Sequence, residues 1–580
     1  SGTSGASGPI GPYEYYTPGD EDSGIQPVSG SNSANGCWST IAGGQSNSMA
    51  GSCKWGFIGG GFSNSANTCA IGQVVVGGYD NSASGTNSTK KGDYNFIGGG
   101  CENTNVGGVA AIVAGRNNTI TGCGIGAGFT GASGSFIGAG ANNEIINGCC
   151  SLIGAGNDNC ISDANNAVIV GGTLNTSSGC YSFIGSGTCN TVSSQYNGVV
   201  VGGSCNIAIC DHDFVGGGTL NTASGACSVI GGGRFNVASG TNSSVVGGTL
   251  NTSSGACSFI GGGQENEAGG AYSSIVGGLQ NCTTAARATI GGGRLNVNES
   301  IDGTIAGGAS NCISTYNINT IGGGCANVIL GGCLSTIGGG WNNTIPYFSP
   351  YATIGGGRSN TISGSFGKQT NQSTIAGGFC NSILESEAGS ILGGCYNIIK
   401  LEADASVVVG GTLNTASAAC SFIGGGISNS ISSNYSQNAK HVIVGGNNNS
   451  ISGDYQSHTS VIVGGQDNTL SGAYNNFRFI GAGCNNTISN SLNRGVIVGG
   501  VSNTIDGPYG GEGAFIGAGE TNTVNSPGGI IVGGCCNSAP GSDVGVFIGG
   551  GRRNKVSQAH SSIVGGTLNT ASAACSFIGG

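Results

Sequence analysis

The chain has 580 residues, of which 122 are Gly and 25 are Cys, and its formal net charge is −10. The acidic balance and the lack of any basic block argue against nucleic-acid binding through a phosphate-neutralising patch. The longest apolar runs are only a few residues, too short for a transmembrane helix. Because Val and Ile recur at fixed intervals, unlike in disordered chains, we predict that the chain is ordered.

The first 35 residues differ from the rest of the chain. They hold four of the nine prolines and a cluster of acidic residues. We predict an extended lead-in or cap over 1–35, followed by a continuous repeat rod over 36–580. The final Phe577-Ile578-Gly579-Gly580 stops partway through a repeat, so we expect the chain to be a fragment of a longer protein.

The rod is defined by the motif Gly-Gly-x-x-Asn, in which Ala or Ser sometimes replaces the first Gly. Its most regular stretch, with intervals of 15, comprises Asn206, Asn221, Asn236, Asn251, Asn266, Asn281, Asn296 and Asn311. One further coil, with Gly131 at the Asn position, is expected between Asn118 and Asn143. The pattern predicts about 33 coils of about 15 residues, linked by ladders of Asn side-chain amides.

Each coil, numbered from its Asn as position 1, contains two kinds of strand. The first half alternates small or apolar residues with polar ones, which is typical of a strand with one face in water. The second half reads Val-Ile-Val-Gly-Gly or Phe-Ile-Gly-Gly-Gly, which is typical of a strand buried on both faces. Two strands and two turns make a flat coil filled by Ile at position 10 and Ala, Ile or Val at position 3. We therefore predict an all-β, parallel β-roll or β-solenoid.

Positions 9 and 11 point away from this interior and form an apolar stripe larger than monomers expose. Phe occupies position 9 in Phe57, Phe96, Phe136, Phe183, Phe214, Phe259, Phe422, Phe479, Phe515, Phe547 and Phe577, always with Gly at position 11. Other coils place Val at position 11, as in Val170, Val201, Val246 and Val276. This size compensation predicts a packed interface between copies. A homotrimer fits best, although a dimer or a sheet-like assembly would also cover the stripe.

Three insertions are expected to emerge at turns, where a partner could touch them. They lie near 84–95, 363–373 and 432–441, and a fourth aromatic loop begins near Trp341. The candidate contact residues are Lys90, Lys91, Tyr94, Trp341, Phe366 and Tyr435. They combine aromatic and basic side chains, which suit a glycan or a protein receptor, but loops also vary without function.

The cysteines and histidines offer little chemistry. Most Cys residues suit small buried positions, and Cys189 and Cys205 form a candidate disulfide because both occupy position 15 of successive coils. No zinc-type Cys spacing appears, and the column that would hold Asp in a calcium-binding roll holds Asn. No catalytic constellation recurs. We therefore predict a protein without cofactor, bound metal or enzymatic activity.

The segment Asn-Thr-Ala-Ser-Gly-Ala-Cys-Ser-Val-Ile-Gly-Gly-Gly at 221–233 resembles the head repeats of YadA-type trimeric autotransporter adhesins. Similar Gly/Asn/Ser repeats occur in phage and large-virus fibre proteins. The resemblance covers nearly the whole chain from residue 36, and it implies a left-handed, homotrimeric parallel β-roll that forms an attachment surface. Stalk heptads and a membrane-anchoring barrel are not seen, which leaves autotransport unsupported.

Three functional hypotheses follow. The preferred one is a structural fibre on a cell or virion surface, outside the cell, that self-associates and attaches to a host glycan or protein receptor. The second is an extracellular filament or matrix protein without a receptor. The third, an ice-binding solenoid, ranks last because Thr is expected mainly at position 2, without a paired Thr column.

Overall fold

The computed structural model describes residues 31–50, 53–67, 71–85, 94–122, 133–314, 318–433, 440–453, 459–472, 477–490, 494–507, 513–541 and 543–580, together with short strands at 17–18 and 25–26. Over these residues the protein is all-β and contains no helix, which confirms the predicted fold class. It is a parallel β-solenoid with about 16 residues per coil and about 31 turns in total. The chain divides into two compact units, Ser1–Gln280 and Asn281–Gly580.

In each unit two parallel sheets face one another across the coil, and we name them sheet A and sheet B. Sheet A contains the strand that carries positions 9 and 10, and sheet B contains the strand that carries positions 2 and 3. Successive strands pair in register, so that Phe214 lies beside Val229 and Val215 beside Ile230 in sheet A. The exception is the pair 17–18 and 25–26, which is antiparallel.

In the first unit, the strands of sheet A are Thr17–Pro18, Ile25–Gln26, Thr40–Ile41, Phe57–Ile58, Val74–Val75, Phe96–Ile97, Ala111–Ile112, Phe136–Ile137, Leu152–Ile153, Val168–Ile169, Phe183–Ile184, Val199–Val200, Phe214–Val215, Val229–Ile230, Ser244–Val245, Phe259–Ile260 and Ser274–Ile275. Those of sheet B are Ser33–Ala34, Ser48–Met49, Ser65–Asn67, Ser82–Ser84, Thr104–Asn105, Thr119–Thr121, Glu144–Ile146, Cys160–Ser162, Thr176–Ser177, Thr191–Val192, Ile207–Ala208, Thr222–Ala223, Val237–Ala238, Thr252–Ser253 and Glu267–Ala268.

In the second unit, the strands of sheet A are Thr289–Ile290, Thr304–Ile305, Thr320–Ile321, Thr336–Ile337, Thr353–Ile354, Thr374–Ile375, Ser390–Ile391, Val407–Val408, Phe422–Ile423, Val442–Ile443, Ser460–Ile462, Arg478–Ile480, Val496–Ile497, Phe515–Ile516, Ile530–Ile531, Phe547–Ile548, Ser562–Ile563 and Phe577–Ile578. Those of sheet B are Cys282–Thr283, Val297–Asn298, Cys312–Ile313, Val328–Ile329, Thr344–Ile345, Thr361–Ser363, Ser382–Leu384, Ile398–Ile399, Thr415–Ser417, Ser430–Ser433, Ser450–Gly453, Thr469–Leu470, Thr487–Asn490, Thr504–Gly507, Thr523–Val524, Ser538–Ala539, Lys555–Val556 and Thr570–Ala571.

The interior of each coil is a thin apolar layer between the two sheets. At position 10 of sheet A, Ile230 and Ile260 have no solvent exposure. At position 3 of sheet B, Ala223 and Ala238 are also fully buried. Because side chains alternate faces along a strand, the residues on either side of these point outward. One coil alone could not exclude water from so small a core, so each coil depends on its neighbours in the stack.

The Asn column is buried and makes the same hydrogen bonds in coil after coil. Asn221 donates from its backbone N–H to Asn206 Oδ1 at 3.1 Å and from its side-chain Nδ2 to the same oxygen at 3.1 Å. The same Nδ2 also donates to the carbonyl oxygens of Gly217 and Gly233, at 2.8 and 2.9 Å. One amide therefore joins its own turn, the previous coil and the next coil.

The glycine three residues before each Asn has a steric role. Gly233 has a φ of +93°, and a Cβ there would overlap the carbonyl oxygen of Gly248 and lie 2.5 Å from Asn236 Nδ2. Its neighbour Gly232 would place a Cβ in open space. The spacing Gly-x-x-Asn thus reflects one tight corner at which a backbone of positive φ presses against the Asn amide.

The structure has fewer turns than the predicted 33, and residues 119–142 supply one reason. The backbone N–H of Asn143 donates directly to Asn118 Oδ1 at 3.1 Å, and Phe136 pairs with Ala111 in sheet A. These two coils are therefore adjacent, and the separate coil predicted around Gly131 is wrong. Gly131 itself lies outside the described residues.

The Asn ladder can be tested at Asn449, whose Nδ2 donates to Asn429 Oδ1, Gly445 O and Gly465 O at 3.0 to 3.1 Å. Asn449→Ala should raise amide hydrogen exchange in the flanking coils, with a loss of about 3 kcal/mol in local stability, because buried partners lose their hydrogen bonds. The control is Asn447→Ala, two residues away and exposed, which should change stability by less than about 0.5 kcal/mol. Equal loss of protection in both variants would contradict a supporting role for the ladder.

Candidate functional site on the outward face of sheet A

The outward face of sheet A is a partly exposed apolar surface in both units. Seven position-9 rings are 36 to 39% exposed, namely Phe57, Phe96, Phe136, Phe183, Phe214, Phe259 and Phe422. Phe479, Phe515 and Phe547 are half-buried, and Phe577 in the last coil is 72% exposed. At position 11, Val170, Val201, Val246 and Val276 are 45 to 58% exposed. In each unit, the predicted interface residues thus lie on the outward face of sheet A, where water reaches them in the single chain.

Where position 11 is glycine, the neighbouring backbone requires it. The ring of Phe183 lies along the strand over Gly185, where an added Cβ would be 3.4 Å from its Cε1 atom, an ordinary contact distance. The same Cβ would overlap the carbonyl oxygen of Val201 in the next coil. This overlap excludes a side chain at Gly185, and a similar overlap occurs at Gly291, where position 9 is Thr289.

Over 168–216, the residue at position 11 of the outward face alternates between Val and Gly from coil to coil. Val170 and Val201 fill position 11 in two coils, and Gly185 and Gly216 leave it open in the two coils that carry Phe183 and Phe214 at position 9. The result is a surface of ridges and recesses that repeats at every second strand, about 10 Å along the stack.

Six successive coils of the second unit carry a different surface. Position 9 there is Thr289, Thr304, Thr320, Thr336, Thr353 and Thr374, and these threonines pair directly along sheet A. Position 11 in the same coils is Gly or Ala, as at Gly291 and Ala306. The expectation that Thr lies mainly at position 2 is therefore wrong for this stretch, and the outward face becomes flatter and more polar.

The predicted contact residues are scattered. Lys90, Lys91 and Tyr435 lie outside the described residues. Tyr94 is 53% exposed, and Phe366, which is 92% exposed, has its ring edge-to-face with that of Phe348 at 6.1 Å. Trp341 does not belong to the aromatic group at 347–351. It lies at position 14, where it forms a bridge to Arg358 of the next coil.

A second aromatic surface, which the sequence analysis did not single out, lies near the start of the first unit. Trp38 and Trp55 are 71% and 55% exposed, and their rings meet edge-to-face at 6.5 Å. With Cys37 and Lys54 they line an open cleft of about 310 Å³. The signal that could have found this pair is the 17-residue spacing of two Trp residues, close to one coil.

Cys189 and Cys205, the candidate disulfide, are not bonded to each other in this structure. In-register side chains project in parallel, which opposes the geometry of a disulfide. Burial, followed by the charge and hydrogen bond of Cys205, raises the pKa of the Cys189 thiol. Burial alone raises the pKa of the Cys53 thiol to about 11, so this thiol is unreactive at neutral pH.

Asp213, His441 and Arg478 are also buried inside the coils, and the sequence analysis missed them in this role. Asp213 accepts hydrogen bonds from the Cys210 and Ser228 N–H groups, at 2.7 and 2.9 Å, and burial raises its pKa. Arg478 donates through Nη1 to the carbonyl oxygen of Ser471, and its Nε and Nη2 have no partner within the described residues. Burial lowers the pKa of Arg478 to about 10.

Other site types receive little support from the described part of the chain. No group of three or more His, Cys, Asp or Glu side chains there converges in a way that could hold a metal ion. No helix in the same ranges has the length and apolar character needed to cross a bilayer.

The chain was also compared with known proteins. No protein-family model matches it, and no curated protein sequence matches it significantly. The resemblance to YadA-type head repeats and to phage or large-virus fibres therefore stays a prediction.

The buried His441 makes stability depend on pH. Burial, and then the charge of Arg478, lowers its pKa from an ordinary value near 6.5 to about 4. The folded protein thus binds this proton less readily than the unfolded chain, and stability should fall by about 3 kcal/mol as the pH decreases from about 6.5 to about 4. Urea unfolding at pH 7 and pH 4.5, followed by hydrogen exchange in the coils at 441–480, measures this loss.

His441→Ser is the matched control, since Ser460 fills the same position in the next coil. This variant should lose less stability than the wild type over the same pH range. An identical pH dependence in both proteins would show that His441 is not the responsible group.

Proposed function

We propose that this chain is a non-enzymatic structural protein whose copies associate in threes through the outward face of sheet A, forming a fibre. Such a fibre would be displayed outside the cell, on a cell or virion surface, and would carry attachment sites for a host glycan or protein receptor. The single observation that carries this proposal is the exposure of apolar side chains at positions 9 and 11 in coils of both units, outside the Thr stretch at 289–374.

The cost of leaving that face in water favours association. Each exposed Phe or Val contributes little alone, but exposed apolar side chains recur on the same face from coil to coil, and their contributions add when the face is covered. A second copy of the same chain offers a surface with the same rise per coil, so its ridges could enter the recesses over Gly. Closed symmetry then covers the face on every copy, and a three-fold arrangement does so around one axis.

The interior supports the mechanical side of the proposal. Within each unit, successive coils are tied together by backbone hydrogen bonds and by buried Asn amides, such as the 3.0 Å bond from Asn251 N–H to Asn236 Oδ1. A stack held this way resists bending and stretching, which suits a spacer. The side chains that vary most along it lie at corners and insertions, where attachment sites would be found.

The alternative is an extracellular filament or matrix protein without a receptor. In this alternative the copies also self-associate, but the exposed corners and insertions bind no receptor. A measurement of binding to cells or glycans therefore distinguishes the two roles. An ice-binding role ranks below both. The Thr column at 289–374 favours it, but position 11 beside that column holds Gly or Ala, as at Gly291 and Ala306, rather than a second row of Thr.

The association can be tested with substitutions confined to one face. The triple variant Phe214→Asn, Val246→Asn and Phe259→Asn should shift the sedimentation mass from three times the chain mass of 56.2 kDa to the single-chain value. Its apolar contacts with other copies are lost, whereas the coil interior, with Val215, Val245 and Ile260 fully buried, is untouched.

The matched control places Asn at Thr222, Val237 and Thr252, the outward positions of sheet B in the same region. This control should keep the trimer mass. A wild-type protein that sediments as a single chain, or a sheet A variant that remains trimeric, would contradict the proposed interface.

A further inference from the structure

The strongest unassigned feature is a column of alternating aromatic and cationic side chains in the second unit. Trp341, Arg358 and Phe379 occupy position 14 of three successive coils and pair as β-bridges. The guanidinium carbon of Arg358 lies 4.2 Å from the centroid of the Trp341 ring and 5.3 Å from that of Phe379. Tyr396 lies beside this column, at position 15 of the next coil, where Cys395 holds position 14; its ring is edge-to-face with that of Phe379 at 5.2 Å and 81°.

This geometry holds the Arg358 guanidinium between two rings. Cation–π contacts on both sides fix the position of the group through its flat faces and do not use its N–H donors. Among the described residues no carboxylate forms an ion pair with Arg358, whereas Arg287 is paired with Asp302 at 2.5 and 2.9 Å. Arg358 is therefore a positioned, exposed cation in a chain whose net charge is −10.

The rings beside the cation are accessible as well. Trp341 is 44% exposed and Tyr396 is 46% exposed. Exposed aromatic rings offer flat apolar surfaces that suit the C–H face of a sugar ring, and a planar guanidinium suits bidentate contact with a carboxylate or sulfate. The aromatic rings and the guanidinium lie within one or two coils of each other, a distance comparable to the size of one or two sugar units.

The backbone at this column cannot recognise a ligand. The N–H of Trp341 donates to the Gly357 carbonyl oxygen at 2.9 Å, and that of Arg358 donates to the Gly378 carbonyl oxygen at 2.8 Å. An extended peptide that adds a strand needs free backbone groups of this kind. Recognition falls to the side chains, which favours a saccharide over a peptide.

We propose that Trp341, Arg358, Phe379 and Tyr396 form a binding site for an acidic saccharide. Arg358 binds the carboxylate or sulfate group, and Trp341 and Tyr396 contact the sugar rings. The inference rests on the attachment role proposed above and names its ligand class. A single open site of this kind binds weakly, and three copies in one fibre would raise the apparent affinity by multivalency.

The test uses the full chain and defined oligosaccharides of one length, sulfated, carboxylated and neutral, with inorganic sulfate and a Glu-rich peptide as further probes. Titration calorimetry of the wild type should show binding of one or both acidic oligosaccharides, and the arms separate sulfate from carboxylate recognition. Arg358→Ala should weaken that binding by about tenfold or more. Arg358→Lys should also weaken it, because an ammonium lacks the planar fork.

Arg287→Ala is the control, since it removes a cation that Asp302 already neutralises, and it should bind like the wild type. Equal affinities in Arg358→Ala and Arg287→Ala, or preferential binding of inorganic sulfate or of the Glu-rich peptide, would overturn the site. Sedimentation of each variant separates this outcome from failure of the fibre itself. If the protein sediments as a trimer and Arg358→Ala leaves saccharide binding unchanged, only the proposed site is refuted. If the wild type sediments with the mass of a single chain, the proposed assembly is refuted.

Discussion

The rest of this structure depends on one buried amide per coil. Each Asn side chain takes its position from the Asn of the previous coil and from glycine carbonyl oxygens on both sides, as Asn221 does with Asn206, Gly217 and Gly233. A buried amide left without these partners is costly, so neighbouring coils must stay in register. The glycine of positive φ beside the Asn then brings the two backbones close enough for the contact.

Strict register turns every position of the coil into a column. A residue type repeated at position 9 becomes a stripe along sheet A, and one repeated at position 14 becomes a stripe along a corner. This explains how the chain produces an apolar Phe and Val surface, a flatter Thr surface at 289–374 and the aromatic and cationic column at Trp341 with almost the same backbone. Surface chemistry changes in blocks while the interior of Ile and small residues continues unchanged.

Much of this could be predicted from the sequence, because local spacing carries it. The 15-residue Asn period and the pattern of Phe183 followed by Gly185 are visible in the sequence alone. The coil expected at Gly131 was wrong because a Gly-rich insertion imitates the repeat; the bond between Asn143 and Asn118 and the pairing of Phe136 with Ala111 show that the coils are adjacent. Trp341, Arg358 and Phe379 each stand two residues before an Asn of the motif, so their alignment in one column was also readable from the sequence. The contact of the Arg358 guanidinium with both rings depends on side-chain conformations, which the sequence does not specify. The number of associated copies is a property of several chains, so one sequence leaves it open.

The central claim is that the outward face of sheet A is covered by other copies of the same chain. Cryo-electron microscopy of the purified protein, viewed in cross-section, tests it most directly because it counts chains and locates sheet A. The account predicts three coils around one axis with the Phe and Val columns on the inside. A cross-section with a single coil, or one in which those columns face solvent, would contradict it.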